Sequence, residues 1–286
     1  MGTTPTASAA DPLSDAWPGL LGLADLGPFF AIAPLDPSSD WRPMAEFANH
    51  PDGLAAALAT VQQSLTNQAV RHSGSANPVH ARVAASVGFL GLAARLISPA
   101  IGFVCTTGLL PEFPWRDLAW RTDTGGAGQP AQLRLAGGQL TAVRPANGIG
   151  PPEIRQLFRT TILPVLELGD VVADRYRVSP QVIRGNIASA IFGAVAVIRW
   201  RTAAGDHHRK VAEDADRLAA GLLAEPELAG TGIVAPIGRL PSFRRRSCCL
   251  LYRVPGATLC GDCILGARRP VATSSPPAAA AGLNPS

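Results

Sequence analysis

A chain of 286 residues, 47% apolar and 16% charged, can bury a sizeable core without covalent help, which excludes a disordered chain and a disulfide scaffold. Its net charge of +4 is too small to mark the whole molecule as a nucleic-acid binder, so the location of the charge matters more than its sum. The start, MGTTPTASAADPLSDAW, has no basic opening and no apolar run behind it. It predicts a chain that stays in the cytoplasm, where thiols are reduced and free to take metal.

Residues 1–16 are small and polar and are expected to form a flexible tail. MAEFANHPDGLAAALATVQQSLTNQAV (44–70) reads as helical on both sides of a break at Pro51 to Gly53. NPVHARVAASVGFLGLAARLI (77–97) opens with Asn77 as N-cap and Pro78 at the first helical position, and is expected to stop near Ser98-Pro99. It is apolar on most faces, which predicts a central helix. The lone Cys105 sits in apolar surroundings and reads as a small core residue.

Strand character appears next. Leu133 and Leu135 alternate with polar residues, Gly137-Gly138 offers a turn, and residues 140–143 run back, which predicts a hairpin there. The preceding TGGAG has no Lys-Ser/Thr behind it and no helix opening, so it reads as a loop and not as a phosphate cradle.

Helical patterning resumes in EIRQLFRTTILPVLELGDVVADRYRV, where Pro164 should kink the helix. SPQVIRGNIASAIFGAVAVIRWR follows, with Ser179 as N-cap and Pro180 behind it. GDHHRKVAEDADRLAAGLLAEPEL then reads as amphipathic. The apolar run 187–198 is too short for a bilayer, and Arg95 and Pro99 interrupt the longer run 88–110. Peripheral contact with the inner face of a membrane stays open.

The fold expected is α+β and mainly α-helical. A body over 17–238 carries a small β insertion near 118–145, a cysteine-rich loop segment occupies 239–266, and an Ala/Pro/Ser-rich disordered tail covers 267–286.

Chemistry concentrates in RRRSCCLLYRVPGATLCGDC (244–263), which holds four of the five cysteines as C-C-x10-C-x2-C. Between Arg239 and Arg269 stand seven arginines and one acid, Asp262. Three readings compete. Buried incidental thiols would have to gather by chance in a cysteine-poor chain. A structural zinc ion suits Cys260-x-x-Cys263, but adjacent Cys248 and Cys249 point to opposite faces of extended chain and converge on one ion only through a special turn. A [2Fe-2S] cluster offers two metals, so an adjacent pair need not meet at one point. Pro255-Gly256 would fold one pair back on the other. The arginines Arg244, Arg245, Arg246 and Arg253 then read as counter-charge to an anionic cluster. They also read as a dock for an acidic electron donor or an anionic substrate.

The ending RSCCLLYRVPGATLCGDC resembles the C-terminal signature of ferric-siderophore reductases of the FhuF type. RVAASVGFLGLAARLISPAIG and GNIASAIFGA resemble two helices of that family, so the resemblance spans roughly residues 75–265. Arg184 stands where an aromatic is expected, and Leu251 where a tyrosine is common. The resemblance implies a [2Fe-2S] cluster on Cys248, Cys249, Cys260 and Cys263, with no catalytic group beyond it. It implies one-electron reduction of a ferric siderophore, of hydroxamate type, with electrons from a protein such as a ferredoxin or flavodoxin and no nucleic-acid partner. No dinucleotide fingerprint is present that would supply hydride. The rivals are a zinc protein whose basic segment contacts nucleic acid, and a siderophore-binding or iron-sensing Fe-S protein that turns nothing over.

Four further positions stand out. Asn186 and Ser189 share one helix face and could line a pocket, cap the cysteine segment or simply allow close packing. Arg82 and Arg95 lie in an apolar helix and need acids, water or a ligand. His207-His208 reads as a solvated helix start, and His50, His72 and His80 show no ligand spacing.

Overall fold

The computed structural model describes residues 14–36, 40–49, 51–75, 77–123, 132–201, 206–237 and 240–266. Of the N-terminal tail expected over 1–16, residues 1–13 lie outside the described residues, while Ser14–Asp15 form a strand and Ala16 is buried. Residues 267–286, the TGGAG loop, and the side chains of His50, His207 and His208 also lie outside the described residues.

The N-terminal part supplies edge pieces. β1 (Ser14–Asp15), α1 (Trp17–Leu21), β2 (Ala33–Pro34), β3 (Arg42–Pro43) and α2 (Glu46–Asn49) precede the first long helix, α3 (Pro51–Ser73), which starts on a proline at the break expected there. α4 (Ala81–Thr107) is the axis of the body. Ala85, Phe89, Ala93, Ile97, Ile101 and Phe103 are all fully buried along it, because its apolar residues leave no face for water.

α4 begins and ends later than its sequence suggests. The N-cap is His80, whose Nδ1 accepts the Arg82 N–H at 3.1 Å. Asn77 and Pro78 belong to an extended lead-in held by α3: the Val79 N–H donates to Thr66 Oγ1 (3.0 Å), and Gln62 Nε2 donates to the Val79 carbonyl (2.7 Å). Pro99 does not stop the helix. It is buried between turns that pack on all sides, and that packing outweighs the hydrogen bond lost at its nitrogen. The stop comes at Gly108, in the left-handed region at φ 69°.

β4 (Leu110–Pro111), β5 (Leu118–Asp123), β6 (Gln132–Gly137) and β7 (Thr141–Val143) form the β insertion. The hairpin is not the expected one. β6 pairs antiparallel with β5, and β7 belongs to a second sheet with β1 and β4. Gly137-Gly138 is a crossover between sheets, because the Leu140 side chain packs where a hairpin partner would continue: a Cβ on Gly137 would lie 2.9 Å from Leu140 Cγ.

α5 (Pro151–Leu157), a π-helical turn (Phe158–Ile162) and α6 (Leu163–Tyr176) form one interrupted helix. Pro164 has no N–H to give, and its ring crowds the carbonyl four residues back. The widened turn just ahead of it is the expected kink in another form. α7 (Pro180–Arg201) starts on the expected proline and is the main partner of α4. α8 (Asp206–Ala224) buries Val211, Ala215, Leu218, Ala219 and Leu222 on one face, as its pattern predicts. A second hairpin, β8 (Gly232–Ile237) with β9 (Leu240–Arg245), leads into the cysteines.

α4 and α7 are long and apolar enough to cross a bilayer, but 89% and 61% of their apolar windows are buried inside the fold. Arg95, on α4, is buried with its Nη1 donating to the Pro28 carbonyl (3.1 Å) and its guanidinium over the Phe29 ring (4.6 Å). Burial lowers its pKa to about 10. Among the described residues, no acid pairs with it. Arg82, thirteen residues earlier and more than half a turn round the helix, is exposed.

α6 approaches α4 and α7 most closely at Gly169, where a Cβ would meet the Ile183 γ-methyl and lie 2.8 Å from Phe89 Cζ. Gly193 on α7 has nothing within 4 Å. Gly169→Ala should therefore destabilise, since overpacking costs about 1–3 kcal/mol. Gly193→Ala should stabilise by up to about 1 kcal/mol through helix propensity. Urea unfolding measures both; equal effects of one sign would contradict the packing described.

Candidate metal centre

The cysteine segment begins where β9 ends. Strand alternation sorts its three arginines: Phe243 and Arg245 point inward, Arg244 and Arg246 outward. Arg245 is 1% exposed and is the largest fully buried side chain. Its Nη2 donates to Asn186 Oδ1, and at 3.5 Å to the Val182 carbonyl, both on α7. Its Nε and Nη1 are buried with no hydrogen-bond partner among the described residues. Arg245 and Asn186, expected as docking residues, are therefore not at the surface. Both are drawn into the core because the acceptors that meet the buried guanidinium are on α7. Arg244, Arg246 and Arg253 are exposed.

The body grips the segment at four more points. Asn186 Nδ2 donates to the Ser86 carbonyl (2.9 Å), and Ser86 Oγ donates to the Cys249 carbonyl (2.8 Å). Ser189 Oγ donates to Asp262 Oδ2, so Asn186 and Ser189 both hold the cysteine segment against α7. The Arg245 N–H donates to the Asp262 carbonyl (3.0 Å), tying the segment's start to its end. Gly185 leaves room beneath: a Cβ there would collide with Ser247 Oγ and lie 3.2 Å from Arg245 Nη2. Val254 inserts into a second apolar group with Leu65, Ala69, Val79, Val83 and Ala84. Ser86, Ser247 and Val254 carry no motif in the sequence that marks them for this site, whereas Gly185 is one of the small residues around Asn186 whose pattern allows the close packing seen here.

The backbone answers how adjacent cysteines serve one site. Leu250 is left-handed at φ 69°, a conformation that costs a leucine roughly 1–2 kcal/mol. Its N–H is thereby aimed at Cys248 Sγ (3.4 Å). The Leu265 N–H makes the matching contact to Cys263 Sγ (3.4 Å). The chain then reverses at Pro255-Gly256, with Gly256 at φ 77° and the Ala257 N–H donating to the Val254 carbonyl (3.0 Å), as expected for that pair. The reversal sets Cys249 Sγ 3.5 Å from Cys260 Sγ.

Charge within the group is organised. Hydrogen bonding to Cys260 lowers the Cys249 pKa to about 6, with further help from Arg245. Cys260 is pushed up by the same hydrogen bond and by burial. Burial raises Cys248. Cys105 lies apart from this group, buried and pushed up to about 12 as an inert core thiol.

A resident group must suit these facts. Among the described residues, no three His, Cys, Asp or Glu side chains converge on one point that could hold a metal ion. A cluster held by thiolates is larger and carries two net negative charges oxidised and three reduced. It would meet the unpartnered donors of Arg245 and the sulfur-directed N–H groups of Leu250 and Leu265. The residues fit an anionic iron–sulfur group.

Residues 245–263 match the family model of the FhuF 2Fe-2S C-terminal domain. The match opens on the buried arginine and closes on the fourth cysteine, and the group that domain carries is a [2Fe-2S] cluster. No curated protein matches the chain.

One buried positive charge several ångströms from a cluster is worth on the order of 2 kcal/mol at an effective dielectric of about 20. That corresponds to about 100 mV for one electron. Because the reduced cluster is the more negative form, Arg245→Met should lower its potential by an amount of that order. Arg245→Lys should lower it less. Redox titration of variants with full iron content checks this; an unchanged potential in Arg245→Met would show that the charge does not face the cluster.

Proposed function

We propose that this protein is a cytoplasmic ferric-siderophore reductase, with Cys248, Cys249, Cys260 and Cys263 as the ligands of its cluster. The observation that carries the reading is the four-thiol segment closed over a buried Arg245 whose Nε and Nη1 have no hydrogen-bond partner among the described residues. When bound, the [2Fe-2S] group supplies a one-electron store, which is what Fe³⁺ to Fe²⁺ conversion takes.

The substrate side follows from coordination chemistry. Fe³⁺ is hard and is held by hydroxamate oxygens, the class we assign. Fe²⁺ is softer and less charged, and the same oxygens release it more readily. The chain's own residues hold the site for this. Ser86, Asn186 and Ser189 fix the segment from two core helices, and Arg245 favours the more negative state of whatever the thiolates bind. Outside, Arg244, Arg246 and Arg253 give the face a positive potential for an anionic chelate or an acidic carrier such as a ferredoxin or flavodoxin.

The test uses loaded protein reduced with dithionite, freed of excess reductant, and mixed anaerobically with a ferric trihydroxamate and a ferrous chelator. The expected result is reoxidation of the protein with one ferrous complex formed per electron. Protein that stays reduced while no ferrous complex appears would contradict the reductase reading and favour a binding or sensing role.

A further inference from the structure

Four of the ten large apolar side chains that stand exposed among the described residues lie between Leu250 and Gly266: Tyr252 (43%), Leu259 (44%), Ile264 (37%) and Leu265 (52%). Each flanks a cysteine. Leu259 and Ile264 are the chain neighbours of Cys260 and Cys263, Leu265 donates its N–H to Cys263 Sγ, and Tyr252 follows the Cys248-Cys249 pair by three residues. Between them stands Arg253, exposed, its Nε donating to Tyr252 Oη (3.1 Å) and its guanidinium over the ring (5.7 Å). The one acid of this stretch, Asp262, is held by Ser189.

We propose that this face is the docking surface for an acidic one-electron carrier protein, which loses one electron as this protein gains one, with no bond made or broken. The proposal rests on the reductase reading and names the partner of the same site. Three observations favour a protein over the chelate itself. Covering aliphatic side chains is favourable only for a partner with apolar surface of its own, and a hydrophilic iron chelate has little. Tyrosine and arginine beside aliphatic residues is the composition of energetic centres in protein interfaces. A small ligand needs concavity, and two clefts, one lined by residues such as Leu110, Val143 and Glu153 and one by Leu223, Leu228 and Phe243, offer it without any residue of 248–266. The charge selects the sign of the partner: Arg253 stands at the surface with no exposed acid in the segment to neutralise it.

The experiment measures binding of the loaded full chain to an immobilised acidic ferredoxin and an immobilised acidic flavodoxin. It compares wild type, Arg253→Glu and the double variant Ile264→Ser/Leu265→Ser. At least one carrier should bind wild type at about 20 mM salt and lose about tenfold in affinity near 200 mM. Each variant should weaken binding at least about tenfold, and Arg253→Glu should flatten the salt dependence. Reduction by the carrier should slow in parallel, while excess dithionite should still reduce each variant completely. Arg253 is fully exposed, so its variant keeps the fold even if the double variant does not take up iron. Absence of binding by either carrier at low salt, or binding indifferent to Arg253→Glu, overturns the proposal. So does loss of ferric hydroxamate reduction in chemically reduced variants with carrier binding intact, which would give the face to the chelate. A chemically reduced wild type that binds carriers but releases no Fe²⁺ would instead sink the reductase reading and leave the docking surface standing.

Discussion

A buried guanidinium without an acid is the constraint around which the C-terminal part of this protein is arranged. Arg245 gives up the hydration of its charge and recovers one side-chain acceptor, Asn186 Oδ1. An isolated buried charge is among the most expensive features a fold can contain. The arrangement becomes reasonable when the cysteines beside it carry negative charge, and a four-thiolate iron–sulfur cluster supplies it, with two net negative charges oxidised and three reduced.

The body serves that constraint through two helices that are core first and site second. α4 and α7 pack against each other along much of their length, and each spends one polar residue inward: Ser86 on the Cys249 carbonyl, Asn186 on Arg245. Ser86 and Asn186 are also bonded to each other, so the segment is gripped by a single polar unit inside an apolar interface. Full satisfaction of such a unit makes it specific as well as stabilising. The strain at Leu250 belongs to the same logic, since a left-handed leucine is tolerated where it aims an N–H at a ligand sulfur.

The cysteines and the Pro255-Gly256 reversal were legible in the sequence because their chemistry depends on spacing along the chain. So were α7 and α8, whose starts or faces are written in local pattern. What the sequence hid was the direction of side chains. Three consecutive arginines look alike until β9 assigns alternate faces, and β9 itself was masked by Pro236 and Pro241, which argue against strands. They sit opposite each other in a two-stranded ribbon, a place where missing N–H groups are tolerated. Asn186 could be seen as a helix residue that meets something. That it meets an arginine fifty-nine residues away is a tertiary fact. The late stop of α4 and the crossover at Gly137-Gly138 are of the same kind: local punctuation overruled by packing.

The central claim is that these four thiols hold two irons and not one metal ion. Anaerobically purified full-length protein, analysed for iron, acid-labile sulfide and zinc and then reduced by one electron per chain, tests it most directly. The account predicts two irons and two sulfides per chain and a paramagnetic signal of one unpaired electron on reduction, all lost in Cys249→Ser. A colourless protein with one zinc per chain and no sulfide would contradict it.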